Sequence, residues 1–264
     1  MNASSMPWRI HGLSVEGYRH RRDAIPCQDA WHHTVTGPPD APVAVLAIAD
    51  GAGSRPRSDQ GARLAVELAT DRFGRRAAGY SAEGGAVRAL LLDAFKDVQE
   101  EFLRRTGDEA DDYASTLTVV VLTPSWLGHL TVGDGFVVLR AGEDNGKRLF
   151  HLLPRPEAVS EYSNETVFLT SPHAERWVLT DCVYDGGIDG LLLSTDGLAQ
   201  AALNRCGDRS QVPNDSFASA VLRSLDSPHP DPGQDEQALA ALLRSDRLTA
   251  LNADDKTLVR AVRP

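Results

Sequence analysis

The sequence predicts an α+β fold in which mainly antiparallel sheets are covered by helices. Three features predict it. Short apolar runs at 115–123, 126–133 and 135–141 follow one another across hairpin-length turns, as antiparallel neighbours do. The two longest helical patterns, 58–76 and 83–106, are consecutive rather than alternating singly with strands, which argues against a regular βαβ wind. A last strand-like run, 257–262, follows the Pro-, Asp- and Gly-rich stretch from Ser224 to Asp235, and the chain beyond that stretch is too short for a domain of its own. That run needs a sheet to join, so residues 1–264 are expected to form a single domain with its core over about 8–263.

Each element has a local reason. Residues 8–17 and 29–36 begin with loosely alternating apolar positions and read as strands, while VAVLAIA at 43–49 is apolar throughout, the mark of a strand buried on both faces. Over 58–76 the residues Ala62, Ala65, Val66, Leu68, Ala69 and Phe73 recur at helical spacing, and 83–106 repeats the pattern. Further strands are expected at 166–170, 176–184 and 190–195, helices near 197–204, 215–225 and 234–246, and no internal repeat interrupts the series.

Composition removes several classes of function. With 27 Lys+Arg against 37 Asp+Glu the net charge is −10, which disfavours a general nucleic-acid binder. No apolar run approaches the roughly 20 residues of a membrane-spanning helix. The first residues lack the basic and apolar regions of a secretory signal. Cys27, Cys182 and Cys206 are odd in number and form no CxxC, so they read as reduced structural thiols of a cytoplasmic protein.

The informative residues are aspartates placed where apolar strands begin or end. Asp29 precedes one run, Asp50 ends VAVLAIA before Gly51-Ala52-Gly53, Asp196 ends GLLLST before Gly197, and Asp254-Asp255 precede TLVRAV. A strand-end carboxylate is held on a rigid element yet faces the rim, and a following glycine lets a backbone carbonyl approach as a further ligand. Carboxylates and carbonyls are the donors that Mg²⁺ and Mn²⁺ select. Against this, a lone Asp-Gly is ordinarily a turn.

The order of the motifs carries more than any one of them. Gln28-Asp29, Asp50-Gly51-Ala52-Gly53, Ser115-Thr116-Leu117, Gly133-Asp134-Gly135, Ser194-Thr195-Asp196-Gly197 and Asp254-Asp255-Lys256-Thr257 occur in this sequence. The series resembles the metal-dependent Ser/Thr protein phosphatases of the type-2C (PPM) family. Gly17-Tyr18-Arg19-His20 upstream of Pro26-Cys27-Gln28-Asp29 makes it look most like the compact bacterial branch. The resemblance runs from about Gly12 to Val262.

The resemblance implies a four-layer α-β-β-α fold, a central sandwich of two mainly antiparallel sheets with helices on both sides. It implies two Mn²⁺ or Mg²⁺ ions with room for a third. Asp50 and the Gly51 carbonyl, Asp196, and Asp254 would be metal ligands. Asp254 is preferred to Asp255 because the family's ligand lies three residues before a Thr or Ser, here Thr257. Asp29 would orient water beside Asp50 as the second catalytic carboxylate. Asp111 or Asp112 stands where many relatives hold a third metal, although a solvated acidic loop with Asp108 and Glu109 reads equally well. Ser115-Thr116 and Asp134 read as packing and turn residues.

The implied reaction is hydrolysis of phosphoserine and phosphothreonine monoesters in proteins by a water bridging the two metals, with no covalent phosphoenzyme. Two positions depart from the family: Ala52 replaces a His proposed to protonate the leaving group, and Ala24 replaces a phosphate-binding Arg. His20, Arg21 and Arg22 are the nearest substitutes for phosphate binding, with Arg55 and Arg57 downstream. The implied partner is a phosphorylated protein, a kinase target or the kinase itself, with selectivity in loops 142–165 and 204–215 and with neither nucleic acid nor membrane involved. Two other readings compete: a phosphatase-like domain of weak or no turnover that binds phosphoproteins, and another metal-dependent hydrolase. The chain has no GxxxxGK[ST], GxSxG or GxGxxG to supply that other chemistry.

Overall fold

The computed structural model describes residues 8–38, 40–78, 86–156, 166–207, 210–229 and 231–263, which fall into two compact units. In chain order the strands are β1 (Arg9–Val15), β2 (Asp29–Thr36), β3 (Val43–Asp50), β4 (Leu117–Leu122), β5 (Leu127–Val132), β6 (Phe136–Asp144), β7 (Lys147–Leu152), β8 (Leu179–Val183), β9 (Ile188–Ser194), β10 (Leu203–Cys206), β11 (Ser210–Pro213) and β12 (Lys256–Val262). The helices are α1 (Tyr18–Asp23), α2 (Ser58–Ala77), α3 (Ala86–Thr106), α4 (Ala199–Ala202), α5 (Asp215–Leu222), α6 (Pro232–Leu243) and α7 (Asp246–Leu251), with a 3-10 turn over Gly107–Tyr113.

The first unit is formed by Gln28–Gly135 and Pro154–Gly186. Its sheet runs β2-β3-β4-β5-β8 with every pair antiparallel. Alternate residues of β3 and β4, among them Val45, Ala47, Val119 and Val121, pack under Ala65, Ala69 and Phe73 of α2 and Leu91, Phe95 and Val98 of α3. The 3.6-residue period of the helices and the two-residue period of the strands thus meet in one apolar layer, where each buried Val or Leu contributes about 1.5–3 kcal/mol. The intervening residues Leu46, Ile48, Val120 and His129 are as deeply buried, which is why VAVLAIA shows no polar alternation. Among the described residues His129 has no hydrogen-bond partner on either ring nitrogen, and burial pushes its pKa down to about 4.

The second unit takes the described residues from Trp8 to Cys27, then Phe136–Leu153, then those from Gly187 onward. Its sheet runs β1-β12-β9-β6-β7, again antiparallel, and β10 with β11 makes a separate hairpin. Val15, Phe136, Val138, Leu192 and Leu258 pack with Val221, Leu222, Leu239, Leu243 and Leu248. This interior also holds charge. Arg260, 2% exposed, donates to both carboxylate oxygens of Asp235 at 2.6 and 3.3 Å and to the Val221 carbonyl at 2.8 Å. It also donates to His11 Nδ1 at 2.5 Å, and burial, aided by the Arg260 charge, holds the His11 pKa below its ordinary value. Arg140 is clamped by Asp226 at 2.6 and 2.9 Å and by Asp189 at 2.6 Å.

Two mainly antiparallel sheets with helices are therefore present, and the elements differ from expectation in definite places. Residues 166–170 are not a strand: the Leu169 N–H donates to the Ser115 carbonyl, its carbonyl accepts from Gln99, and Leu169 is buried as a loop anchor. The expected helix over 234–246 stops at Leu243, and Ser245 caps a new one, α7, by accepting from the Leu248 N–H. Helix α1, strand β7 and the β10–β11 hairpin were not anticipated. The proposed loops 142–165 and 204–215 contain β7 and most of that hairpin, while 157–165 and 208–209 lie outside the described residues, as do 83–85 of the expected second helix. Among the described residues no helix is long and apolar enough to cross a membrane.

Candidate functional site

In the first unit Asp29 opens β2, Asp50 closes β3, and the two are direct cross-strand partners. The Gly51 N–H donates to the Gln28 carbonyl at 3.1 Å, so the Asp29–Asp50 pair falls at a position between ladder bonds, where side chains approach most closely. Two carboxylates placed opposite one another repel, and a cation offsets that cost. The Asp50 backbone is fixed on its other side by Thr116: its N–H donates to Thr116 Oγ1 at 2.9 Å and its carbonyl accepts from the Thr116 N–H at 2.8 Å. Gly51 continues as a β-bridge to Ser115, so the Ser-Thr motif serves as the clamp on the Asp-Gly turn.

The same turn binds the acidic 3-10 segment. The Ala52 N–H donates to the Ala114 carbonyl at 2.9 Å and the Arg57 N–H to the Asp112 carbonyl at 3.1 Å. Asp111 is exposed and Asp112 half-buried, so both carboxylates stay on the rim. Arg57 itself is committed to Glu109 and to Tyr113 Oη, with its guanidinium 5.5 Å from the Tyr113 ring centre. Asp134 accepts from Thr166 Oγ1 at 3.3 Å, and its carbonyl accepts from Arg155, as befits a turn residue.

In the second unit β9 gives out at Ser194 and the chain turns through Thr195 to the half-buried Asp196. Ser194 Oγ donates to the Thr257 carbonyl at 2.7 Å and the Thr257 N–H to Thr195 Oγ1 at 3.2 Å, tying the Asp196 turn to the Asp254-Asp255 turn. The approach is so close that a Cβ on Gly197 would lie 1.9 Å from the Asp255 carbonyl oxygen, so only glycine can follow Asp196. Asp255 is buried, 4% exposed, and its Oδ1 accepts from the Gly17 N–H at 2.7 Å and faces His20 Nδ1 at 2.8 Å. Asp254 is exposed, and its Oδ1 accepts from the Asp255 N–H at 3.0 Å. His20, Asp254 and Asp255 each offer a ligand atom within 4.8 Å of the others. The two carboxylates are donors that Mn²⁺ and Mg²⁺ select, so they fit the expected ion, while His20 Nδ1 is turned to Asp255.

The basic candidates are less convergent. Arg22 is spent on Asp23, with bonds of 2.7 and 2.8 Å, while Arg21 is exposed and has no side-chain partner among the described residues. Sequence reasoning passed over two contributors, the Gly17 N–H and the Thr195 hydroxyl. Only the neighbouring motif residues Gly17-Tyr18-Arg19-His20 and Ser194-Thr195-Asp196-Gly197 signalled them.

A family model described as protein phosphatase 2C matches residues 16–244. The chain is 28% identical to serine/threonine-protein phosphatase 3 of Escherichia coli (strain K12) over 266 residues, 97% of this chain and 99% of that protein. A crystal structure of a bacterial serine phosphatase shares the fold with a TM-score of 0.65 at 15% identity, over 98% of both chains. The catalytic domain of the serine/threonine phosphatase PstP, solved with two manganese ions, does so with a TM-score of 0.56 at 17% identity, over 97% of both chains. The chain belongs to the protein phosphatase 2C family and is by that membership a protein phosphatase.

Proposed function

We propose that the chain hydrolyses phosphoserine and phosphothreonine monoesters in proteins, using two Mn²⁺ or Mg²⁺ ions with a third as an option. The observation that carries this reading is the gathering of carboxylates at strand ends within each unit: Asp29 opposite Asp50, and Asp196 tied to the Asp254-Asp255 turn. When bound, the ions lower the pKa of water and offset charge on the phosphoryl oxygens.

The chain's own residues hold and orient. Asp50, the Gly51 carbonyl and Asp196 are the assigned ligands, with the Asp254-Asp255 pair completing the set; spacing favours Asp254, while burial and hydrogen bonding favour Asp255. Asp29, 7% exposed, would orient the water that the ions hold. Asp111 or Asp112 serves the third ion. Phosphate binding falls to His20, Arg21 or Arg22; His20 contacts Asp255, Arg22 is bonded to Asp23, and Arg21 is exposed with no side-chain partner among the described residues. The substrate is a phosphoprotein of a Ser/Thr kinase, or that kinase, in the cytoplasm, and the two units together serve one phosphatase domain.

The test is hydrolysis of p-nitrophenyl phosphate and of a phosphoserine peptide with Mn²⁺, with EDTA, and in Asp50→Asn and Asp196→Asn variants. Both variants are expected to lose about a hundredfold or more in kcat. Absence of Mn²⁺-stimulated turnover in the parent chain, with the phosphopeptide still bound, would instead leave a binding module.

A further inference from the structure

We propose that His20 is a positioning residue of the metal centre: its Nδ1–H, with the Gly17 N–H, fixes the Asp255 carboxylate in the orientation that a divalent cation requires. This rests on the metal-dependent reading above and assigns His20 a role other than phosphate contact.

Helix α1 has no packing reason to exist where it does. None of its six residues is buried, so apolar burial does not hold it. What holds it is polar and points to one place. The Arg19 N–H donates to the Ala253 carbonyl at 3.4 Å, and Gly17 sits so close that a Cβ would lie 2.3 Å from the Asp254 carbonyl carbon. The helix is thus seated on the 253–255 turn, and this seating delivers His20 to Asp255.

Burying a carboxylate is costly unless hydrogen bonds compensate it. Asp255 is 4% exposed, and the same oxygen, Oδ1, receives both the Gly17 N–H at 2.7 Å and the His20 ring nitrogen at 2.8 Å. A carboxylate oxygen accepts, so Nδ1 is the donor in this bond. Two donors converging on one oxygen set both the position and the plane of the carboxylate. Partners of this kind orient a ligand, and losing one typically weakens metal binding about 10–100-fold.

The experiment compares His20→Asn, His20→Gln and His20→Leu in the full chain, reading Mn²⁺ affinity by electron paramagnetic resonance of the free ion and thermal unfolding with EDTA. An Asn amide can occupy the Nδ1 position, whereas a Gln amide reaches the Nε2 position. Leu and Gln are therefore expected to weaken Mn²⁺ binding about 10–100-fold and Asn to stay within about threefold of the parent. Unfolding in EDTA is expected to stay near the parent for Asn and to fall for Leu and Gln, which leave the buried Asp255 oxygen one donor short. Unchanged affinity in His20→Leu overturns the proposal. So does an Asn variant as weak as Leu, which would make the ring itself a ligand. A lower unfolding temperature of His20→Leu in EDTA, with Mn²⁺ affinity intact in the folded fraction, reduces His20 to a fold contact and overturns it too. If Leu does not fold, the Asn-against-Gln contrast decides alone. A parent chain that binds no Mn²⁺ removes the metal centre and this role with it, a result distinct from tight binding unaffected by His20.

Discussion

The two units bury different things beneath sheets of the same size. In the first, five antiparallel strands enclose Val, Leu and Ala, and a conspicuous polar side chain is His129, whose ring nitrogens meet no partner among the described residues. In the second, the sheet encloses paired ions: Arg260 with Asp235, through both terminal nitrogens though not through Nε, which meets no partner among the described residues, and Arg140 with Asp226 and Asp189. An unpaired neutral ring and a paired buried ion respond oppositely to perturbation. The ring is improved by removal and harmed by acid, whereas the ion pair is harmed by removal of either member.

The largest effect expected from this contrast is on the buried pair. Asp235→Ala leaves the Arg260 guanidinium uncompensated and should destabilise the chain by about 3–5 kcal/mol in urea unfolding. The double change Asp235→Leu with Arg260→Met should recover most of that loss. If Asp235→Ala costs less than about 1 kcal/mol, the pair behaves like a surface bridge and the contrast collapses.

A smaller effect concerns acid. The folded His129 pKa, about 4, lies below the ordinary 6.5, so the unfolded chain takes up the proton first. Stability present above pH 6.5 is then lost as pH falls toward 4, amounting to about 2 kcal/mol between pH 7.5 and pH 5. His129→Leu should remove that part of the slope and be neutral or stabilising at pH 7.5, measured by urea unfolding at both pH values. An unaltered slope would move the acid sensitivity to His33 of the first unit or His11 of the second, both shifted in the same direction.

The smallest lies at the rim of the second sheet. Gly146 has φ +78° and nothing within 4 Å of where a Cβ would stand, so Gly146→Ala isolates backbone strain. It should cost about 1 kcal/mol in the same assay, with Mn²⁺ binding unchanged.

Legibility followed physical cause. VAVLAIA and the helical spacing of Ala62, Ala65, Val66, Ala69 and Phe73 were readable because burial imposed them. Helix α1 was not, because it buries nothing and its polar ties run to residues far along the chain. Strand β7 was masked by its polar, exposed KRLFHL, although Asn145-Gly146 just before it, both with positive φ, is a strong hairpin signal. TVFLT at 166–170 alternates like a strand, yet Ser115 and Gln99 take its backbone groups. At the candidate site, spacing located every strand-end aspartate but could not see which way Asp254 and Asp255 face; that depends on donors from Gly17 and His20.

The position of β12 carries a consequence for biosynthesis. It lies between β1 and β9 in the second sheet, yet it is the last strand of the series to be made. Every strand of the first sheet precedes it on the ribosome, so that sheet can pair while the second still lacks its inner member. A chain interrupted before Asp254 would therefore carry a complete first sheet and no His20–Asp255 pair, and translation through residue 262 acts as a gate on the second carboxylate cluster.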